Sequence, residues 1–323
     1  MENYAKKKIM KICLIGLGNI GFRHLQSILK LKEISKIDVI DIKYDLIIKN
    51  KIDYLNKNKS KINFYKSYIE LRKKYDFCII STNSDVRFNS LKNFYRYSYA
   101  KYLILEKFLF LKIKHYKDCE KFVLDNKIQA WINCPRRTYK VYKQISQDIK
   151  NKSKLSIQCY GNKWNMASNC IHYIDLFSYF LKSHNFKYDL SGLHKKLYKS
   201  NKKNFIEYKG TIIASQAENP NNSITLKDKN SYNTFKMIIE YDDKKILIEE
   251  TKENINVISS DFKRLNKSYD LEKQSNLTNI YIKNILTNGT CELPKLRDSI
   301  NLHSDLFKNF YYFYKITFQN KNF

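Results

Sequence analysis

Three of the seven glycines in this 323-residue chain are Gly16, Gly18 and Gly21, in the order Gly-x-Gly-x-x-Gly. An apolar run, Ile9 to Ile15, precedes them. A helical pattern follows, with Ile20, Leu25, Ile28, Leu29 and Leu31 on one side. In that context the spacing predicts a pyrophosphate cradle: Gly16 for a tight turn, Gly18 for close approach of the ligand, Gly21 for packing of helix on strand. Asn19 and Ile20 open the helix, where unpaired N–H groups and the positive end of the dipole suit phosphate. Asp41 ends the next short strand, roughly twenty residues on, where a carboxylate binds the ribose hydroxyls of an adenosine. That carboxylate repels a 2′-phosphate and so favours NAD over NADP, while Lys43, two residues later, pulls the other way.

The remaining candidates lie at the ends of apolar runs. Phe77 to Ile80 is unbroken, as a buried parallel strand requires, and it runs into Ser81, Thr82 and Asn83. Open α/β sheets bind ligands at the carboxyl ends of their strands, so these three are expected beside the coenzyme. Tyr102 to Leu105 runs into Glu106 and Lys107 in the same way. A partly desolvated lysine near a nicotinamide cation has a lowered pKa and can move a proton near neutrality. Lys107 is therefore a catalytic candidate, and Glu106 a coenzyme neighbour. Ile128 to Ile132 ends in Asn133-Cys134-Pro135-Arg136-Arg137-Thr138-Tyr139, where Asn133, Arg136 and Tyr139 suit an anionic or hydroxyl-rich substrate. A polar loop, Gly161 to Asn169, then precedes an apolar helix, Cys170 to Leu181. Ser168, His172 and Asp175 share one face there. His172 and Asp175 are catalytic candidates, with Asp175 as carboxylate partner of the imidazole. Ser168 and Asn169 are candidate substrate contacts.

These positions call for an α/β architecture. Alternating strands and helices over 1–132 predict a dinucleotide-binding parallel sheet. A helix is expected over Ser67 to Tyr75, opened by a serine cap. Over 133–323 the strands Leu155 to Tyr160, Phe205 to Tyr208, Gly210 to Gln216, Ser223 to Lys227, Thr234 to Tyr241, Lys245 to Glu250 and Ile255 to Ser259 predict a second α/β domain. Its sheet should be open and largely antiparallel, with one face on helices. Asn288-Gly289 stops a helix from Leu277, and a last helix runs from Lys295 to Tyr314.

Composition narrows the function classes. The formal charge is +29, from 60 Lys and Arg against 31 Asp and Glu. The lysines are spread over every expected element without an aromatic and arginine recognition motif, so nucleic acid is not an expected partner. The charge still favours an anionic ligand. No apolar run reaches the length of a membrane span, and none is expected. The seven cysteines, Cys13, Cys78, Cys119, Cys134, Cys159, Cys170 and Cys291, are odd in number and contain no Cys-x-x-Cys pair. They read as buried reduced thiols of a cytoplasmic protein, with no metal site.

The ordered set GLGNIGFRHLQSI (16–28), STNSDVRF (81–88), EKFL (106–109), NCPRRTY (133–139), SNCIHYIDLF (168–177) and CELPKLRDSINLH (291–303) resembles the glucose–fructose oxidoreductase, inositol dehydrogenase and MocA-like (Gfo/Idh/MocA) family. The resemblance implies a Rossmann domain followed by an α/β domain whose open sheet often mediates homo-oligomers. It gives Lys107 a role at substrate and cofactor, and His172 the family histidine. The chain departs from the family pattern at Phe108, a proline in the family, and at Ser168, an aspartate. The implied activity is NAD(P)-dependent oxidation or reduction of a sugar, sugar acid or nucleotide sugar, in a branch associated with surface polysaccharides. The two departures motivate a second expectation, a catalytically silent dinucleotide-binding regulatory protein.

Overall fold

A computed structural model describes residues 10–42, 52–71, 73–149, 154–200, 202, 205–228, 235–259 and 266–319. Lys43 lies outside them. The chain divides into two compact units, Met1–Asn133 with Glu272–Arg297, and Cys134–Leu271 with Asp298–Phe323. This differs from a single division after residue 132, because the chain returns to the first unit late.

The first unit is built on β1 (Met10–Ile15), β2 (Ile34–Ile40), β3 (Ile62–Tyr65), β4 (Lys74–Ile80), β5 (Tyr99–Leu105) and β6 (Gln129–Ile132). Their order is β3-β2-β1-β4-β5-β6, with every pair parallel. Parallel neighbours need crossovers, supplied here by α1 (Asn19–Ile28), α2 (Ile52–Lys57), α3 (Arg87–Tyr97) and α4 (Ile113–Asp125). Crossover helices cover both faces of such a sheet, which is why β1 and β4 finish in unbroken apolar runs, Ile12 to Ile15 and Phe77 to Ile80. Ile12, Cys13, Leu14, Phe77, Cys78, Ile79 and Ile80 are fully buried. Each large side chain of this kind contributes about 1.5–3 kcal/mol. The strand order reverses between β1 and β4, so the glycine turn after β1 stands at the switch point where such sheets take ligands.

The helix expected from Ser67 is a single 3-10 turn, Tyr68–Glu70. Ser67 does cap it, in a reciprocal capping box with Glu70. The turn ends there because Lys74 already begins β4, whose Tyr75 and Phe77 are buried in the sheet.

The second unit carries α5 (Lys140–Ile149), α6 (Met166–Leu181) and β7 (Leu155–Gly161), β8 (Phe186–Asp189), β9 (Tyr198–Lys199), β10 (Ile206–Glu207), β11 (Gly210–Gln216), β12 (Ser223–Asp228), β13 (Phe235–Tyr241), β14 (Lys244–Glu250), β15 (Asn254–Ser259) and β16 (Lys267–Asp270). Eight of these strands form one sheet, β16-β15-β14-β13-β7-β12-β11-β8, in which only β7 and β12 are parallel. The alternation read in the sequence is the burial pattern. Leu155, Ile157 and Cys159 of β7 are buried, while Ser156, Gln158 and Tyr160 are half-buried. β8, β9 and β16 were not anticipated, since two to four residues rich in Lys, Tyr and Asp hold too little period to register.

From Glu272 the chain rejoins the first unit with α7 (Thr278–Asn288), ended by Gly289 at φ 71°. Ile132 N–H donates to the Pro294 carbonyl at 3.0 Å, which ties this return to β6. α8 (Leu296–Tyr314) follows. Among the described residues no helix is long and apolar enough to cross a membrane. All seven cysteines are free thiols, and all but Cys291 are buried.

Candidate functional site

The glycine turn of the first unit is set by its own packing at two positions and open at the third. Gly16 has φ +89°, and a Cβ there would lie 2.9 Å from the Thr82 nitrogen. A Cβ on Gly21 would lie 2.0 Å from the Gly16 carbonyl oxygen, so the helix could not close on the strand. A Cβ on Gly18 would meet none of the described residues within 4 Å. Gly18 is also the N-cap of α1, which has no side-chain cap and no acidic residue in its first turn. The helix start thus has no side-chain cap and no acidic residue of its own, and among the described residues nothing fills the space above Gly18, features that suit a diphosphate. Asp41 Oδ2 accepts the Leu17 N–H at 2.7 Å, which brings this carboxylate to the turn. Ile20 is 36% exposed beside it, an apolar side chain available to a ligand.

Ser81 has another task. Its hydroxyl donates to the carbonyls of Gly16 (2.7 Å) and Ile15 (3.1 Å), so it braces the turn from the end of β4. Thr82 offers its carbonyl to Arg87, and Asn83 is exposed. Arg87 is buried and also donates to the carbonyls of Phe108 and Leu109. One guanidinium therefore holds together the segments that follow β4 and β5. Burial lowers its pKa to about 10, which still leaves it charged at neutral pH.

Behind Lys107 lies a polar network absent from the sequence reading. His24 of α1 is fully buried, with Nε2 2.9 Å from Glu106 Oε1 and Nδ1 2.8 Å from Thr278 Oγ1. Asn133 Nδ2 donates to the same Glu106 oxygen and, at 3.0 Å, to Gln274 Oε1. Gln274 Nε2 donates to Thr278 Oγ1 at 2.8 Å. Burial alone would raise the pKa of Glu106, but His24, Arg87 and Asn133 outweigh it and hold the carboxyl below its ordinary range. Glu106 and Asn133, read as coenzyme and substrate contacts, are thus buried partners of each other. Lys107 is half-buried on the next residue of the chain.

In the second unit two expected contacts are engaged elsewhere. Arg136 gives its guanidinium to Glu250, with Nη2 2.9 Å from Oε2, and lies 4.2 Å from the centre of the Tyr173 ring. Tyr142 donates to the same carboxylate at 2.7 Å. Asp175 is fully buried, and its carboxylate takes Arg137 as a fork: Nε to Oδ2 at 2.8 Å and Nη2 to Oδ1 at 2.6 Å. The partner of Asp175 is Arg137 and not His172, which corrects the expectation of a His172–Asp175 pair. The reason is direction: residue 175 points into the core, whereas His172 stays half-buried. Burial raises the pKa of Asp175 against the opposing pull of Arg137. Tyr139 is buried, with its ring stacked on Tyr142 at 6.2 Å between centres. Asn169 donates to the Trp164 carbonyl at 2.7 Å, and Ser168 is held by Glu207.

No family profile matches the sequence, and no curated protein is similar to it. The fold, in contrast, has many counterparts among solved structures. A super-repressor mutant of Gal80p from Saccharomyces cerevisiae aligns over 94% of this chain and 95% of its own, at 14% identity and a TM-score of 0.68. The WlbA dehydrogenase from Bordetella pertussis, in complex with NADH and UDP-GlcNAcA, aligns over 94% and 95%, at 12% and 0.66. The scyllo-inositol dehydrogenase from Lactobacillus casei, with NAD(H) and scyllo-inositol, aligns over 93% and 95%, at 12% and 0.64. These neighbours are of the Gfo/Idh/MocA type, and the chain shares their fold. Coverage near the full length of each Gfo/Idh/MocA-type structure means that both units are part of the likeness. At these identities it extends to the fold alone.

Proposed function

We propose that this chain is an NAD(P)-dependent oxidoreductase acting on the CH–OH group of a sugar, sugar acid or nucleotide sugar. The observation that carries this reading is the glycine turn at the strand-order reversal, open above Gly18 among the described residues and placed at a helix start without a side-chain cap. Gly16, Gly18, Asn19, Ile20 and Gly21 would hold the diphosphate, Asp41 the ribose, and the segments after β4 and β5 the nicotinamide end. Asp41 favours NAD. The nicotinamide, when bound, supplies the acceptor or donor of a hydride at the carbinol carbon. Lys107 Nζ takes the hydroxyl proton in oxidation and returns it in reduction. His172 hydrogen-bonds the substrate oxygen. Glu106 and Asn133 act through the backbone that carries Lys107, and Ser81 through the glycine turn. The dehydrogenases of this fold solved with NADH and UDP-GlcNAcA or with scyllo-inositol support a hydroxyl-rich substrate. Synthesis of a surface polysaccharide sugar in the cytoplasm by a homo-oligomer completes the proposal.

The test is coenzyme binding by nicotinamide fluorescence, followed by turnover over a panel of sugars and nucleotide sugars. NADH should bind, at least one sugar should be turned over, and Lys107→Met should keep coenzyme affinity while turnover falls about 100-fold or more. A variant with full turnover removes Lys107 from the chemistry. A second reading, a silent coenzyme-binding regulator, draws on the super-repressor Gal80p structure that shares the fold. Tight NADH binding without turnover across the panel would favour it.

A further inference from the structure

The helix α6 has one opening along its buried length. From Cys170 to Ser178 every residue is buried except His172, and one turn earlier Ala167, Ser168 and Asn169 are half-buried. Residues four apart on a helix are neighbours on its surface, so Ser168 and His172 border the same window. Glu207, on the two-residue strand β10, reaches the edge of that window and is only 5% exposed. Its Oε1 accepts the Ser168 hydroxyl, and its Oε2 accepts the Ser168 N–H at 3.3 Å. A buried carboxylate is costly unless hydrogen-bonded. Here the hydroxyl and amide of one residue fix both oxygens, and the N-terminal end of a 16-residue helix favours the charge.

The other charged groups on elements packed against α6 are differently placed. Arg136 and Arg137, on the turn before α5, are paired with Glu250 and Asp175. β12 contributes Lys227 and Asp228, and Asp228 accepts the Lys163 N–H. α5 carries Lys140, Lys143 and Asp148. Glu207 is the carboxylate held on the residue one turn from His172.

We propose that Glu207 is a positioning residue for His172: gripped by Ser168, it fixes a negative charge at the window and biases the imidazole toward its protonated form, in which both ring nitrogens donate. This deepens the oxidoreductase reading, in which His172 meets the substrate oxygen, and rests on it for its purpose. Glu207 as a helix cap alone would be indifferent to the protonation of His172.

The experiment is an NMR titration of the His172 ring, assigned with His172→Gln, in the full-length protein and three variants. Glu207→Gln keeps an acceptor for the Ser168 hydroxyl but removes the charge. The His172 midpoint should fall by about half a pH unit or more. Ser168→Asp combined with Glu207→Gln puts a carboxylate back at the same window and should restore the midpoint. Ser168→Ala keeps the charge but frees it, and should give a smaller fall. It decides the matter if Glu207→Gln does not fold. An unchanged midpoint in the folded Glu207→Gln or, failing that, Ser168→Ala protein overturns the proposal and leaves Glu207 a cap. A double variant that stays at the Glu207→Gln midpoint overturns it as well. The titration needs neither coenzyme nor substrate, so a protein without turnover refutes the oxidoreductase reading separately.

Discussion

His24 sits with no solvent contact between a carboxylate and a hydroxyl, and each of its ring nitrogens has a partner. Removing the ring leaves Glu106 buried with fewer groups to stabilise its charge, and that is the expensive kind of loss. His24→Ala should lower the unfolding free energy by about 3 kcal/mol in urea titrations. The pH dependence follows from Glu106, whose folded pKa lies below its ordinary 4.5. Stability from this group is present above the unfolded value and is lost as pH falls through the lower folded value. Acid titration should therefore destabilise the native protein below pH 4.5 more steeply than Glu106→Gln. Arg137 belongs to the same class of buried pair: Arg137→Met leaves Asp175 unpaired and should cost about 3–5 kcal/mol, with coenzyme affinity unchanged. Little of this was legible. Lys107 and Glu106 could be placed because they end an apolar strand. The partners of His24 lie 82 and 254 residues away, and no local pattern joins them. Arg137 and Asp175 were both in view, but periodicity says which residues share a helix and not which way a buried fork points.

At the scale of elements, the turn between β1 and α1 separates what the fold needs from what a ligand needs. Gly21→Ala forces a Cβ into the Gly16 carbonyl, so it should destabilise the protein and abolish coenzyme binding together. Gly18→Ala meets no atom of the described residues and should leave the thermal midpoint almost unchanged. It should nevertheless weaken NADH binding about tenfold or more, because the methyl group fills the space reserved for phosphate. Fluorescence titration beside thermal unfolding reads both. Equal affinity in Gly18→Ala would move the diphosphate elsewhere. This turn was the most legible element because its signals are local: a buried strand, fixed glycine spacing and an amphipathic helix within about twenty residues. The long strands of the second unit were legible for the same reason. The segment Ser67 to Tyr75 was misread because a serine cap is a real signal even where only one 3-10 turn follows it.

At the scale of the molecule, the division into units is discontinuous in sequence, and that has a consequence for folding. The first unit is completed by residues 272–297. Asn279 and Ser27 exchange hydrogen bonds at 2.9 Å, Thr278 meets His24 at 2.8 Å, Gln274 meets Asn133 at 3.0 Å, and Pro294 pairs with β6. A fragment ending at Asn133 retains all six strands of the parallel sheet but loses every one of these partners. Leu277, Tyr281, Ile282 and Ile285, all buried, go with them. Several lost hydrogen bonds at about 1 kcal/mol each, with four apolar side chains at about 1.5–3 kcal/mol each, approach or exceed the 5–15 kcal/mol by which domains are stable. The fragment 1–133 should therefore lack a cooperative thermal transition by circular dichroism. The same fragment joined to 272–297 through a flexible linker should regain one, and with it NADH binding, because Asn133 and Gln274 already touch. A cooperative transition in 1–133 alone would mean that the late segment only decorates a unit already complete, as a division after residue 132 would have it.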